Sequence, residues 1–144
     1  MTQEHALAGK RFLLAEDNGF ARDALREMLL AHGAQAVTAR DGEEAVCLFA
    51  KAQEGAFDAV ILDICMPGMG GLAAAVAIRR MDRRDAGRVP IFALSAAAPQ
   101  YCRKEAEESG VDICLQKPVQ MGELARLMNG LSGDICSGLG SDGM

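Results

Sequence analysis

Acids, a hydroxyl and an ammonium recur in this chain at one kind of place, just past a short apolar run. RFLLA leads into Glu16-Asp17, AVIL into Asp63, VPIFAL into Ser95 and ICLQ into Lys117. Brought together, three carboxylates repel, and their ionised forms need a compensating positive charge. Hard oxygen donors of this kind suit Mg2+, which binds a few carboxylates and keeps waters for a phosphate to replace. A hydroxyl and an ammonium beside them suit the oxygens of a phosphoryl group. A carboxylate is itself a nucleophile for phosphoryl transfer through an aspartyl phosphate. The chemistry implied is metal-assisted phosphoryl transfer, provided that the fold gathers residues far apart in sequence.

The surrounding pattern predicts such a fold. Apolar runs at Arg11–Ala15, Ala34–Ala39, Ala59–Asp63, Val89–Leu94 and Ile113–Gln116 read as strands. The third is apolar throughout until its terminal acid, as suits a strand buried on both faces of a parallel sheet. The second is less apolar and is expected nearer an edge. Pro90 lacks an N–H and belongs at a strand start. Helices are predicted over Phe20–His32, Glu43–Gln53, Leu72–Met81, Gln100–Ser109 and Val119–Asn129, the first and fourth closed by Gly33 and Gly110. The segment LAAAVAI at 72–78 is apolar nearly all round, which alanine's helix propensity explains better than a partner contact. Pro67, Gly68, Gly70 and Gly71 force a turn after Asp63.

Strands alternating with helices imply right-handed crossovers and a parallel sheet covered on both faces, an α/β fold. All strands then point one way, so groups past their carboxyl ends meet on one edge, where open α/β sheets place their chemistry. Residues 1–9 read as an N-terminal extension, 10–131 as the folded domain, and 132–144 as a flexible tail or the start of a linker. No second domain or internal repeat is read within these residues, and a helix-turn-helix output domain is not expected in the stretch after Lys117.

Length and composition fit one soluble globular domain: 144 residues, half of them hydrophobic. A net charge of −5 argues against a nucleic-acid-binding surface. No apolar run reaches membrane-spanning length, and the N-terminus does not read as a signal peptide. The five cysteines are scattered without a CxxC, which suits reduced thiols in a cytoplasmic protein and gives no zinc spacing. His5 and His32 stand outside any motif, so neither is expected to donate phosphate.

The motifs LLAEDN at 13–18, ILDICMPGMGG at 61–71, ALSA at 93–96 and LQKPV at 115–119 together resemble the receiver domain of two-component response regulators. Their wording is closest to receivers of hybrid sensor histidine kinases. The resemblance spans roughly residues 10–130 and implies the flavodoxin-like, doubly wound five-stranded parallel sheet of order 2-1-3-4-5, an order for which a receiver is a known example. It implies that Asp63 accepts a phosphoryl group from a phosphohistidine. Asp17, Asp63 and the backbone carbonyl of Cys65 would bind Mg2+, with Glu16 holding a metal water or assisting. Ser95 would bond a phosphoryl oxygen, and Lys117 would pair with Asp63 or its phosphate. A cis Lys117-Pro118 bond is expected. The partners implied are a histidine kinase or a histidine phosphotransfer protein, with a weak homodimer allowed and no direct nucleic-acid or membrane contact.

One departure stands out. The family keeps a Tyr or Phe three residues before the Lys, and Cys114 stands there, unable to fill that volume or carry a ring hydroxyl. Phosphotransfer is expected to survive, while the usual repacking of the face formed by the fourth and fifth helices and the fifth strand is expected to be muted. Gly70 also replaces a common acid. Three other functions fit less well. An aspartate-nucleophile phosphatase would carry a second acid where Cys65 stands. A flavodoxin-like FMN site would lack the acids of EDNG. A phosphorylation-independent interaction module would be expected to lose Asp63 or Lys117.

Overall fold

The computed structural model describes residues 7–137, and for 131–137 the backbone alone. Five strands, β1 (Arg11–Ala15), β2 (Gln35–Ala39), β3 (Ala59–Asp63), β4 (Ile91–Ser95) and β5 (Ile113–Gln116), form one sheet in the order β2-β1-β3-β4-β5. Every pairing is parallel. Five α-helices connect or follow them: α1 (Gly19–Ala31), α2 (Gly42–Lys51), α3 (Gly71–Arg79), α4 (Arg103–Glu108) and α5 (Met121–Ser137).

The apolar alternation of the strands splits the core into two layers. Phe12, Leu14, Ile61, Phe92 and Leu94 meet Leu25 and Leu29 of α1 and Leu124 and Met128 of α5. Leu13, Val60, Leu62, Ile91 and Ala93 meet Phe49 of α2, Ala74, Ala75 and Ile78 of α3 and Ala106 of α4. β3 lies in the middle and is buried at all five positions, whereas the edge strand β2 is half-buried. The alanines of α3 are used here for packing: small side chains let this helix sit close to the sheet and to α2.

Local chemistry sets the helix ends. Asn18 caps α1 by accepting from the Ala21 N–H at 2.9 Å, and Asp41 caps α2 from Glu44 at 2.8 Å. At the end of α1, Gly33 takes φ +90° while its N–H and that of Ala34 bond back to Leu30 and Leu29. This paired closure requires a left-handed residue, which glycine adopts without a Cβ penalty. Gly110 does the same after α4.

The structure departs from the sequence reading in four places. The fourth helix is divided: a 3-10 turn at Pro99–Tyr101 precedes a six-residue α4. Only Ala106 of this polar segment is buried, so little apolar burial holds a longer helix together. β4 begins at Ile91, two residues later than expected. Pro90 has no N–H to give, although its carbonyl accepts from Val60 at 2.9 Å. The N-terminal boundary at residue 10 falls inside packed structure. Leu7 is fully buried beside Phe12 and Leu29, and its N–H bonds to the His32 carbonyl at 3.1 Å. The backbone of α5 runs on to Ser137, past the expected stop at Asn129. The rest of the expected tail, residues 138–144, and His5 lie outside the described residues.

Candidate functional site

Sheet register brings the predicted residues together. Ala15 lies beside Leu62, so the next residue, Glu16, is level with Asp63. Asp63 is paired with Leu94, immediately before Ser95, and Ser95 with Gln116, immediately before Lys117. The carboxylates of Glu16, Asp17 and Asp63 lie within 4.8 Å of one another. Glu16 and Asp63 are 3 % exposed, while Asp17 is open to solvent.

Lys117 is the cation that holds the two buried acids. Its Nζ donates to Asp63 Oδ2 at 2.8 Å and to Glu16 Oε1 at 3.1 Å. The remaining oxygens of those carboxylates accept backbone N–H groups, Asp63 Oδ1 from Cys65 at 3.2 Å and Glu16 Oε2 from Asn18 at 3.1 Å. Burial pushes the Glu16 carboxyl above its ordinary range. The bonds from Asn18 and Lys117 oppose this, and the neighbouring Asp63 charge adds to it. Burial acts to lower the Lys117 pKa, but its bonds to Asp63 and Glu16 together leave it raised and the ammonium charged.

The loop after β3 is shaped by close backbone approach. The Gly71 N–H bonds to the Ile64 carbonyl at 3.2 Å. A Cβ at Gly71 would collide with the Asp63 carbonyl oxygen, and one at Gly70 would come within 2.7 Å of the Ile64 oxygen. Glycine is thus required at Gly71, where α3 starts against the end of β3, whereas a Cβ at Gly70 would need the backbone at Ile64 to shift. Cys65 is exposed, and no hydrogen bond among the described residues uses its carbonyl. The Lys117-Pro118 bond is cis, as expected.

Three acids, a free carbonyl and one ammonium make a donor set of hard oxygens with more negative charge than Lys117 alone balances. That set fits a divalent cation such as Mg2+. A family model for the response regulator receiver domain matches residues 12–129. The chain belongs to the response regulator receiver domain family.

Among curated relatives, this receiver is 30 % identical over 122 residues to hybrid signal transduction histidine kinase I of Dictyostelium discoideum, covering 83 % of the chain and 7 % of that protein. It is 34 % identical over 119 residues to the sensor protein GacS of Pseudomonas syringae, covering 82 % of the chain and 13 % of that protein. It therefore spans a small part of these relatives. A solved receiver domain of a Pseudomonas aeruginosa sensor histidine kinase, with a magnesium ion in its active-site cleft, is 32 % identical with a TM-score of 0.75, covering 88 % of this chain and 99 % of that one. The receiver domain of an Arabidopsis thaliana histidine kinase, complexed with Mg2+ and BeF3−, is 26 % identical with a TM-score of 0.78 over 91 % of this chain and 95 % of that one.

Not every predicted residue joins the charged cluster. Ser95 reaches the same edge, but its Oγ accepts from the Ala97 N–H at 3.0 Å and bonds none of the acids. Two participants were not singled out from the sequence. Asn18 both caps α1 and donates to Glu16, and its position three residues before Ala21 carried that signal. Arg22 donates from Nη1 to the Glu16 carbonyl at 3.0 Å; a single Arg on a helix surface gives no sequence signal.

Proposed function

We propose that this receiver accepts a phosphoryl group from a phosphohistidine onto Asp63, with Mg2+ as cofactor. The observation that carries the reading is Asp63 itself. It ends the fully buried central strand, lies within 4.8 Å of two further acids, and receives the Lys117 ammonium at 2.8 Å. Glu16, Asp17, Asp63 and the Cys65 carbonyl are the residues that would hold the metal. When bound, Mg2+ supplies the positive charge that lets a carboxylate and a phosphoryl group approach each other. A carboxylate oxygen of Asp63 attacks phosphorus as the phosphorus–nitrogen bond of the donor breaks. The imidazole leaves with that electron pair and takes up a proton. Lys117 supplies a charge-assisted contact to the incoming phosphoryl oxygens. The Ser95 hydroxyl, whose oxygen accepts from Ala97, keeps its proton free to donate to one of them.

In this reading the chain is a signalling phosphoacceptor in a two-component relay, rather than an enzyme for an outside substrate. Its partners are a histidine kinase or a histidine phosphotransfer protein, and its setting is cytoplasmic. Among the described residues, no helix is long and apolar enough to cross a membrane. The decisive test is Asp63→Asn with acetyl phosphate or a phosphohistidine donor. An amide is nearly isosteric with the carboxylate but is not a nucleophile, so intact-mass spectra should show acid-labile phosphate on the wild type alone. Equal uptake by both proteins removes Asp63 from the role.

A further inference from the structure

A pair of thiols lies away from the acidic edge and plays no part in phosphoryl transfer. Cys102 precedes α4, Cys114 lies in β5, and their sulfurs are 3.8 Å apart. Twelve positions separate them in sequence, and the intervening chain is α4 with its glycine-closed turn. Cys47 and Cys65 lie elsewhere and are exposed, whereas Cys102 and Cys114 are both half-buried. Cys114 also lines a cavity of about 240 Å3 with Pro99, Arg103, Ala106 and Val111. We infer that Cys102 and Cys114 form a reversible disulfide under peroxide, and that this bond fastens the connection between β4 and α4 to β5.

The distance supports the step: the sulfurs are already in van der Waals contact, and bond formation requires a further approach of under about 2 Å. Cys102 lies at the junction of two short helices, neither of which has a side-chain cap, so the segment has few bonds resisting that movement. Among the described residues its Sγ makes one further hydrogen bond, donated to the Pro99 carbonyl at 3.7 Å. In the first step the Cys102 thiolate attacks a peroxide oxygen. The oxygen–oxygen bond breaks, giving a sulfenic acid and hydroxide, which takes up the proton that the Cys102 thiol released and becomes water. In the second step the Cys114 sulfur attacks the Cys102 sulfur. The sulfur–sulfur bond forms, the sulfur–oxygen bond breaks, and hydroxide leaves and takes the Cys114 proton as water. Two thiols and one hydrogen peroxide thus give one disulfide and two waters. Burial, with the Cys102 contact adding to it, pushes the Cys114 thiol up to about 11. That assigns Cys114 to the second step, where its proton has an acceptor in the leaving hydroxide.

The bond would act on the chain that follows Ser95. Residues 96–101 run from the end of β4 to Cys102, and β5 leads from Cys114 to Lys117. The covalent ring encloses residues 102–114; because Ser95 is paired with Gln116 in the sheet, the bond also fixes both ends of residues 96–101 relative to β5, and so restricts their opening.

The test treats the full chain with hydrogen peroxide and then with dithiothreitol. Arg103 and Lys104 lie between the two cysteines, so trypsin releases a true bridge as two joined peptides. The expected product is an intramolecular Cys102–Cys114 bridge, lost in Cys102→Ser and in Cys114→Ser. Amide exchange over residues 96–102 should slow several-fold in the oxidised form and recover on reduction. Oxidation that falls on Cys47 or Cys65 with Cys102 and Cys114 still reduced, or that yields only intermolecular dimers, overturns the inference. A bridge that forms but leaves exchange over 96–102 unchanged overturns the restraint. Each readout is independent of phosphorylation, so a failure here is separable from a failure of Asp63 to accept phosphate.

Discussion

Replacing Asp17 by Asn should stabilise this protein in EDTA and destabilise it relative to wild type in excess Mg2+. Asp17 has its carboxylate within 4.8 Å of those of Glu16 and Asp63 and makes no side-chain hydrogen bond or ion pair among the described residues. Two unit charges at that separation repel by about 0.9 kcal/mol at the dielectric of water and about 3.5 kcal/mol at an effective value of 20. Asp17 is exposed, so the lower figure applies to each of its two repulsions. Attraction to the Lys117 ammonium, which is bonded to both other acids, offsets about half of the sum. The net gain on neutralising Asp17 is about 1 kcal/mol, or about 4 °C in Tm for a chain of this size. Mg2+ reverses the order, because a cation at ten times its Kd stabilises the wild type by about 1.4 kcal/mol. The variant has lost a charged ligand and gains less. Thermal unfolding in EDTA and across a Mg2+ series reads both effects, and added salt should shrink the difference in EDTA by screening. A variant less stable than wild type in EDTA, or one that gains as much from Mg2+, refutes the account of the acids as a mutually repelling cation site.

Three further outcomes follow from the packing. Leu7→Ala should cost about 2–4 kcal/mol in urea unfolding, because Leu7 is fully buried; a loss under about 0.5 kcal/mol would place it outside the core. Gly71→Ala should weaken Mg2+ binding, since the new Cβ meets the Asp63 carbonyl and must move the end of β3; an unchanged titration by amide shifts rules this out. The Arg83 bonds hold the Asp85 carboxyl below its ordinary 3.8, so the pair's stabilisation is complete above that value and is lost as pH falls through the depressed one. The stability gap between wild type and Asp85→Asn should therefore begin to narrow as pH falls below 3.8, and a gap that stays constant from neutral pH into strong acid contradicts it.

The apolar runs, their terminal acids and the glycine punctuation made the five strands and the residues of the acidic edge readable in the primary structure. Period and burial are local properties: a run such as AVILD suits one environment, and parallel strands put Glu16, Asp17, Asp63, Ser95 and Lys117 at one edge whatever the helices do in detail. The position of Leu7 in the core was not readable. A single leucine in a polar terminus has no period, and its burial depends on the groove beside Phe12 and Leu29. Nor was the division of the fourth helix, where a weakly apolar segment is set by what it packs on. The partition of bonds around Lys117, the Ser95 bond to Ala97 and the Arg22 bond to the Glu16 carbonyl depend on side-chain rotamers in three dimensions. Cys102 and Cys114 are the clearest case. Neither lies in a cysteine motif, and only the docking of the start of α4 against β5 brings their sulfurs to 3.8 Å.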